Sequence, residues 1–174
     1  MQNVGEYEAT ETLRNGRRAT IRALRPDDKV GLLAALGRSS ARSIYRRFFG
    51  PKRGFTEAEI EFFLNIDFVN HVALVAVVTE DADQLIVGGC RYIVGRPPGQ
   101  AEVAFTVMDQ YQGQGVGAAL LRHIAAIARE AGLKVLTADV LADNIPMLKV
   151  FEKSGLRLHT TRESGVVHVV LDTP

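Results

Sequence analysis

Apolar residues in the middle of this chain come in short dense runs, whereas on either side they recur at helical spacing. The longest run, Val72 to Val78, predicts a strand over Val72–Thr79, and the polar turn Glu80-Asp81-Ala82-Asp83 separates it from a second strand over Leu85–Val94. Beyond the break at Pro97-Pro98-Gly99 a third strand covers Ala101–Val107, so the three make an antiparallel meander. Upstream, Thr10 to Leu24 reads as a hairpin about the type I′ pair Asn15-Gly16. Pro26-Asp27-Asp28 then opens a helix carrying Val30, Leu32, Leu33 and Leu36, and a second helical piece spans Ser39 to Phe49 before Gly50-Pro51. Thr56-Glu57-Ala58-Glu59 is a capping box for a third helix that ends near Ile66. Downstream, Val116, Leu120, Ile124, Ile127 and Ala128 mark one face of a long helix through Ala118 to Ala131, which Gly132 terminates. A strand Val135–Leu141, a helix Ile145–Ser154 and strands near Leu156–Thr161 and Val166–Leu171 complete the chain. Antiparallel strands followed by a strand–helix–strand crossover predict an α+β layered fold, with no repeat or linker to divide residues 1–174 into more than one domain.

Composition narrows the classes. The chain has 174 residues, 47% hydrophobic and 24% charged, so a sizeable core forms without metal or disulfide. A formal net charge of +1 supplies no broad field for a polyanion, and no nucleic-acid role is expected. One cysteine, Cys90, allows no internal disulfide. Acidic Glu6, Glu8 and Glu11 near the start do not resemble a signal or transit peptide, and Val72 to Val78 is too short to cross a bilayer, so a soluble cytoplasmic protein away from the membrane is expected. His71, His123, His159 and His168 have no ligand spacing, so no metal is expected either.

The chemistry concentrates in Gln112-Gly113-Gln114-Gly115-Val116-Gly117, between the third meander strand and the long helix. Glycines before a helix leave a row of unshielded N–H groups aligned with the positive end of the helix dipole, a setting for a phosphate. A plain flexible connection is the bland reading. A dinucleotide fingerprint is the sharper one, because Gly113, Gly115 and Ala118 satisfy G-x-G-x-x-A and Asp139 follows about 20 residues on. Against it, Met108 to Gln112 intervene between strand and first glycine. No Gly-Lys-Ser or Gly-Lys-Thr closes a P-loop.

What remains, Gln112-x-x-Gly115-x-Gly117, resembles the pyrophosphate loop of the GCN5-related N-acetyltransferase (GNAT) superfamily. Asn144-Ile145-Pro146-Met147, running on through Phe151, Lys153 and Gly155 to Leu156, is similar to a second motif of that superfamily. The resemblance covers roughly residues 18–171. It implies a mixed, mostly antiparallel central sheet flanked by helices and splayed where acetyl-CoA binds, with acetyl-CoA as co-substrate. By position it implies that Phe105, Thr106 and Val107 pair with the pantetheine arm, that Gln112, Gly113, Gln114, Gly115, Val116, Gly117 and Ala118 hold the pyrophosphate, and that Asn144 and Phe151 lie along the cofactor. Asn144 before Pro146 is equally a helix N-cap.

Acyl transfer to a lysine-type amine needs a proton acceptor, because an amine with a pKa near 10.4 costs roughly 4.6 kcal/mol to deprotonate at neutral pH. Glu102 is the preferred base: it stands on the strand leading to the loop, among Ala101, Val103, Ala104 and Phe105, where partial desolvation would raise its pKa. Strand alternation alone leaves it equally on a solvated face. Asp139, five residues before Asn144, is the second candidate, or else a strand-end carboxylate bonded to loop amides. Many superfamily members carry tyrosine as general acid where this chain has Phe151, so that role is missing or filled elsewhere. Arg25-Pro26-Asp27-Asp28, Ser43 to Phe49 and Ala101 to Phe105 resemble the acetyltransferase domain of bacterial protein lysine acetyltransferases, which implies a protein lysine acceptor, acyl-CoA synthetases among them, and Glu102 as base. Small amines are the alternative acceptors, and a non-catalytic acyl-CoA-binding module is the alternative class. Tyr45, Arg46 and Arg47 could line an acceptor mouth but suit core plus solvated face better; Cys90 suits a buried strand position better than a thioester site.

Overall fold

The computed structural model describes residues 3–174. Its strands are β1 (Glu8–Thr12), β2 (Arg18–Ala23), β3 (His71–Glu80), β4 (Asp83–Val94), β5 (Gln100–Val107), β6 (Val135–Leu141), β7 (Arg157–Glu163) and β8 (Val166–Asp172). Its helices are α1 (Lys29–Gly37), α2 (Ala41–Phe48), α3 (Glu57–Leu64), α4 (Val116–Glu130) and α5 (Ile145–Glu152). The strands form one eight-stranded sheet in the order β1-β2-β3-β4-β5-β6-β8-β7. Every neighbouring pair is antiparallel except β5 and β6. This is the α+β fold that the pattern predicted, with the mixed, mostly antiparallel sheet that the resemblance implied.

The expected meander is β3, β4 and β5, and its apolar density has a direct cause. β3 is buried from Val72 through Val78 because both faces of the sheet are covered there. On one face lies α4, whose Val116, Leu120, Ile124, Ile127 and Ala128 are all buried as their spacing requires. α1, α2 and α3 lie over the other face; Arg91, which faces them, sits above the Phe63 ring of α3.

The hairpin differs in detail. Asn15-Gly16 is not a type I′ pair: only Gly16 has a positive φ (+82°), and the loop closes through Gly16 N–H to the Leu13 carbonyl and Leu13 N–H to the Arg17 carbonyl. A longer loop results, because Asn15 Oδ1 instead accepts the Arg17 N–H. Type I′-like positive φ pairs occur at Asp81-Ala82 and Ser164-Gly165, where β3 meets β4 and β7 meets β8.

Behind Arg25-Pro26-Asp27-Asp28 lies a buried ion pair. Arg22 Nη1 and Nη2 donate to Asp28 Oδ2 and Oδ1 at 2.7 and 2.8 Å, and the Arg25 N–H donates to Asp28 Oδ2 at 2.7 Å. It ties β2 to the turn that starts α1.

The most consequential feature is where β5 and β6 part. They pair only at Gln100–Val135, Ala101–Leu136 and Glu102–Thr137, and from Val103 onward the β6-facing edge of β5 has no strand beside it. Met108 N–H reaches the Val87 carbonyl on β4, so by alternation the main-chain groups of Phe105 and Val107 point into this gap.

Candidate active site

The loop from β5 to α4 stands at the open end of that gap. Buried Tyr111 anchors it, donating its hydroxyl to Glu80 Oε2 at 3.1 Å and accepting from Arg17 Nη1 at 3.0 Å. The loop carbonyls are drawn toward the β1–β2 turn: Gly113 O accepts from Arg14 Nη1 at 3.2 Å, and Gln114 O accepts the Arg14 N–H at 3.0 Å. Gly113 and Gly115 hold φ of +76° and +93°. The N–H groups from Gly113 to Ala118 consequently have no acceptor among the described residues. The first protein-satisfied amide is that of Ala119, which bonds the Gly115 carbonyl. Such a row, at the positive end of a fifteen-residue helix, is built to take an anion.

Gln112 and Gln114 act as props. Gln112 Nε2 donates to the Val107 carbonyl and to Ser43 Oγ, while Gln114 bridges the Gln110 carbonyl and Asn15 Nδ2. Val116 turns its side chain into the core, so only its N–H faces outward. The loop base is also tied to α2, where the Ser40 N–H and Ser43 hydroxyl donate to Asp109. Burial alone would raise the Asp109 carboxyl, but these hydrogen bonds outweigh it and hold it below the usual range.

A groove of about 400 Å³ runs from the loop along Phe105, Thr106 and Val107 to Asn144 and Met147 on α5. Three cations that sequence reading assigned no role, Arg14, Lys149 and Lys153, also line it. Lys149 was legible only as a residue of a short helix, and Lys153 only as a position of the second motif. Arg14 lies far away in sequence, and nothing in its neighbours signals the contact.

A second hollow, about 370 Å³, is lined by Glu102, Asp139, Phe49 and Phe151, and shares Arg46, Arg47, Phe105, Asn144 and Met147 with the groove. The two therefore meet at the parted strands. Glu102 pairs with Thr137, and Asp139 lies two residues on, so both carboxylates project from the same sheet face. Glu102 is exposed; its apolar neighbours Ala101 and Val103 face the opposite side, so it does not sit among them as expected. Asp139 is also exposed, and its Oδ1 lies 2.7 Å from His168 Nδ1 on the neighbouring strand, not on loop amides. Asn144 caps α5 by accepting the Met147 N–H at 3.4 Å while lining both hollows, so the cap and the groove position coexist. Phe151 is 1% exposed and packs edge-on against Phe105 with ring centroids 5.8 Å apart.

Among the remaining candidates, Cys90 is core: its thiol faces the Leu120 carbonyl of α4, and burial pushes its pKa far up. His71 is held down to about 4 by burial and by the Arg91 guanidinium, so at neutral pH it is uncharged and its Nε2 accepts from Arg91 Nη1. Among the described residues no group of three His, Cys, Asp or Glu is placed to hold a metal ion, and no helix is long and apolar enough to cross a membrane.

The sequence model of the Acetyltransferase (GNAT) family matches residues 39–156. The chain is 32% identical to Acetyltransferase Pat of Mycolicibacterium smegmatis over 93% of its own length, but it spans only about half (48%) of that relative. It is 36% identical to Acetyltransferase PA5475 of Pseudomonas aeruginosa, covering 79% of this chain and 74% of that one. The crystal structure of the GNAT domain of S. lividans PAT superposes with a TM-score of 0.85 at 37% identity, over 95% of this chain and 96% of that one.

Proposed function

Because the chain belongs to the Acetyltransferase (GNAT) family, we propose that it is an acetyl-CoA-dependent N-acetyltransferase whose acceptor is a primary amine, a protein lysine side chain. The observation that carries the reading is the joining of two unlike sites at one gap: a row of free amides at one mouth and a free carboxylate at the other. The diphosphate of acetyl-CoA lies on the Gly113–Ala118 amides with Arg14, Lys149 and Lys153 beside it. Its pantetheine arm runs along the main chain of Phe105 and Val107, in the place of the missing strand. The thioester then reaches Asn144 and Phe105, where the groove meets the Glu102 hollow.

The amine enters from the Glu102 side. Its nitrogen attacks the thioester carbonyl carbon, the carbon–sulfur bond breaks, and the proton passes to Glu102 directly or through one water. A protein acceptor suits this mouth because it is open and apolar at the rim: Phe49 and Ile93 are 41% and 37% exposed, and Ile93 pairs directly with Glu102 across β4 and β5.

The decisive experiment incubates the purified protein with labelled acetyl-CoA, acyl-CoA synthetases and a panel of small amines. Label on a synthetase lysine is the expected result. Label confined to small amines would replace the acceptor class, and tight acetyl-CoA binding with no acetylated product would favour the non-catalytic module.

The loop makes its own prediction. Gly115→Ala forces an L-residue into the left-handed region without a clash, since the added Cβ would meet Arg14 no closer than 3.7 Å. Conformational strain of about 1–2 kcal/mol is relieved by turning the peptide, which spoils the amide row. Calorimetry should show acetyl-CoA affinity reduced about tenfold. Gly132→Ala, with φ of +81° at the far end of α4, should leave it unchanged.

A further inference from the structure

Phe151 has no proton to give, so the thiolate that leaves during transfer needs another source of stabilisation. The polar side chains that line the Glu102 hollow are few: Arg46, Arg47, Glu102, Asp139 and Asn144. Arg46 is tied to Asp143, its Nη2 donating to the Asp143 carbonyl at 2.9 Å and its Nε 3.7 Å from the Asp143 carboxylate, although that Nε is buried and makes no hydrogen bond. Asn144 is neutral and spends its oxygen on the helix cap. Lys149 and Lys153 line the groove and not the Glu102 hollow.

Arg47 differs from all of these. It sits one residue before the end of α2 and lines the cofactor groove, the Glu102 hollow and also a small apolar cavity of about 60 Å³ beneath α1, α2 and α3. Its guanidinium carbon lies 4.8 Å from the centroid of the Phe48 ring, yet among the described residues it makes no hydrogen bond and no ion pair. The second arginine at the apolar cavity, Arg91, donates to the Phe63 carbonyl and to His71. Burial lowers the Arg47 pKa and the Glu102 carboxylate pulls it the other way, but a guanidinium keeps its charge at any working pH. A partly buried cation with free donors, placed where donor and acceptor meet, is suited to a transient negative charge.

We propose that Arg47 is a catalytic residue that stabilises the departing coenzyme A thiolate, standing in for the proton that Phe151 cannot supply. The inference rests on the acetyltransferase reading above. In the step, the amine nitrogen bonds to the carbonyl carbon, the carbon–sulfur electron pair stays on sulfur, and the amine proton goes to Glu102. Arg47 donates hydrogen bonds to the sulfur and keeps its own protons; the thiolate takes its proton later from solvent.

The test reads the thiol directly. Free coenzyme A is bound to the purified protein and its thiol titrated by thiolate absorbance. An adjacent cation shifts an acidic group down by about 1–3 pH units. The wild-type complex should therefore ionise at least about one unit below free coenzyme A, Arg47→Lys should keep most of that shift, and Arg47→Gln should abolish it, with kcat reduced about tenfold and acetyl-CoA affinity within about twofold of wild type. An identical thiol titration in wild type and Arg47→Gln, with coenzyme A bound in both, overturns the role of Arg47 alone. Absence of coenzyme A binding to the wild type overturns the acetyltransferase reading, and this inference with it.

Discussion

Glu102→Gln is expected to lower kcat by about 10²- to 10⁴-fold, the usual contribution of a positioned base, while acetyl-CoA binds as before. Affinity should survive because Glu102 does not line the loop groove. The loss should also depend on pH. Without a base the reaction must wait for acceptor lysine that is already deprotonated, so the variant's rate should climb about tenfold per pH unit below about pH 10. Asp139→Asn should do little by comparison, since the Asp139 carboxylate is bonded to His168 on the neighbouring strand β8. Full turnover by Glu102→Gln together with an inactive Asp139→Asn would reverse the assignment.

The second large effect concerns stability. Asp28→Ala should cost about 3–5 kcal/mol in urea denaturation, because it strands the Arg22 guanidinium, which is 7% exposed, without its two carboxylate hydrogen bonds. Changing both partners to apolar residues, Arg22→Met with Asp28→Leu, should recover most of the loss. A pH dependence follows from the same pair. Burial by itself would raise the Asp28 carboxyl, but hydrogen bonds from Arg22 and the Arg25 N–H outweigh it and hold it below the ordinary 3.8. A carboxyl depressed on folding contributes its stability above the unfolded pKa and loses it as pH falls toward the folded one. Acid should therefore erode wild-type stability below about pH 4 more steeply than that of the double variant.

These two carboxylates also mark how far sequence reading reaches. Asp28 was legible as a residue of a helix start, since Pro26-Asp27-Asp28 is a local signal. Its pairing with Arg22 was not, because nothing in the spacing of Arg22 and Asp28 says that both will be buried. Glu102 stood out as the candidate base, but its exposure was misjudged: apolar neighbours along a strand face alternately away from it, and only the strands on either side decide which face is covered. The capping box at Thr56 and Glu59 formed as written, each side chain bonding the other residue's N–H, because all its parts lie within four residues. The Asn15-Gly16 turn did not take its commonest form, because Asn15 found partners in Arg17 and in Gln114 on a remote loop.

The amino-acid order by itself determined what depends on near neighbours: the meander, the buried face of α4, the glycine-bearing turn before it and the Asn144 motif. Tertiary structure decided what depends on distant ones. It tied the carbonyls of Gly113 and Gln114 to Arg14, so that the amides face outward. By pairing β5 with β6 over three residues and no further, it also opened the gap in which the loop, Arg47 and Glu102 meet. Hydrogen-bonding geometry and periodicity act over a few residues and can be read in order along the chain. Which unpaired edge ends up beside which free cation is set by how the layers pack, a matter of the whole fold.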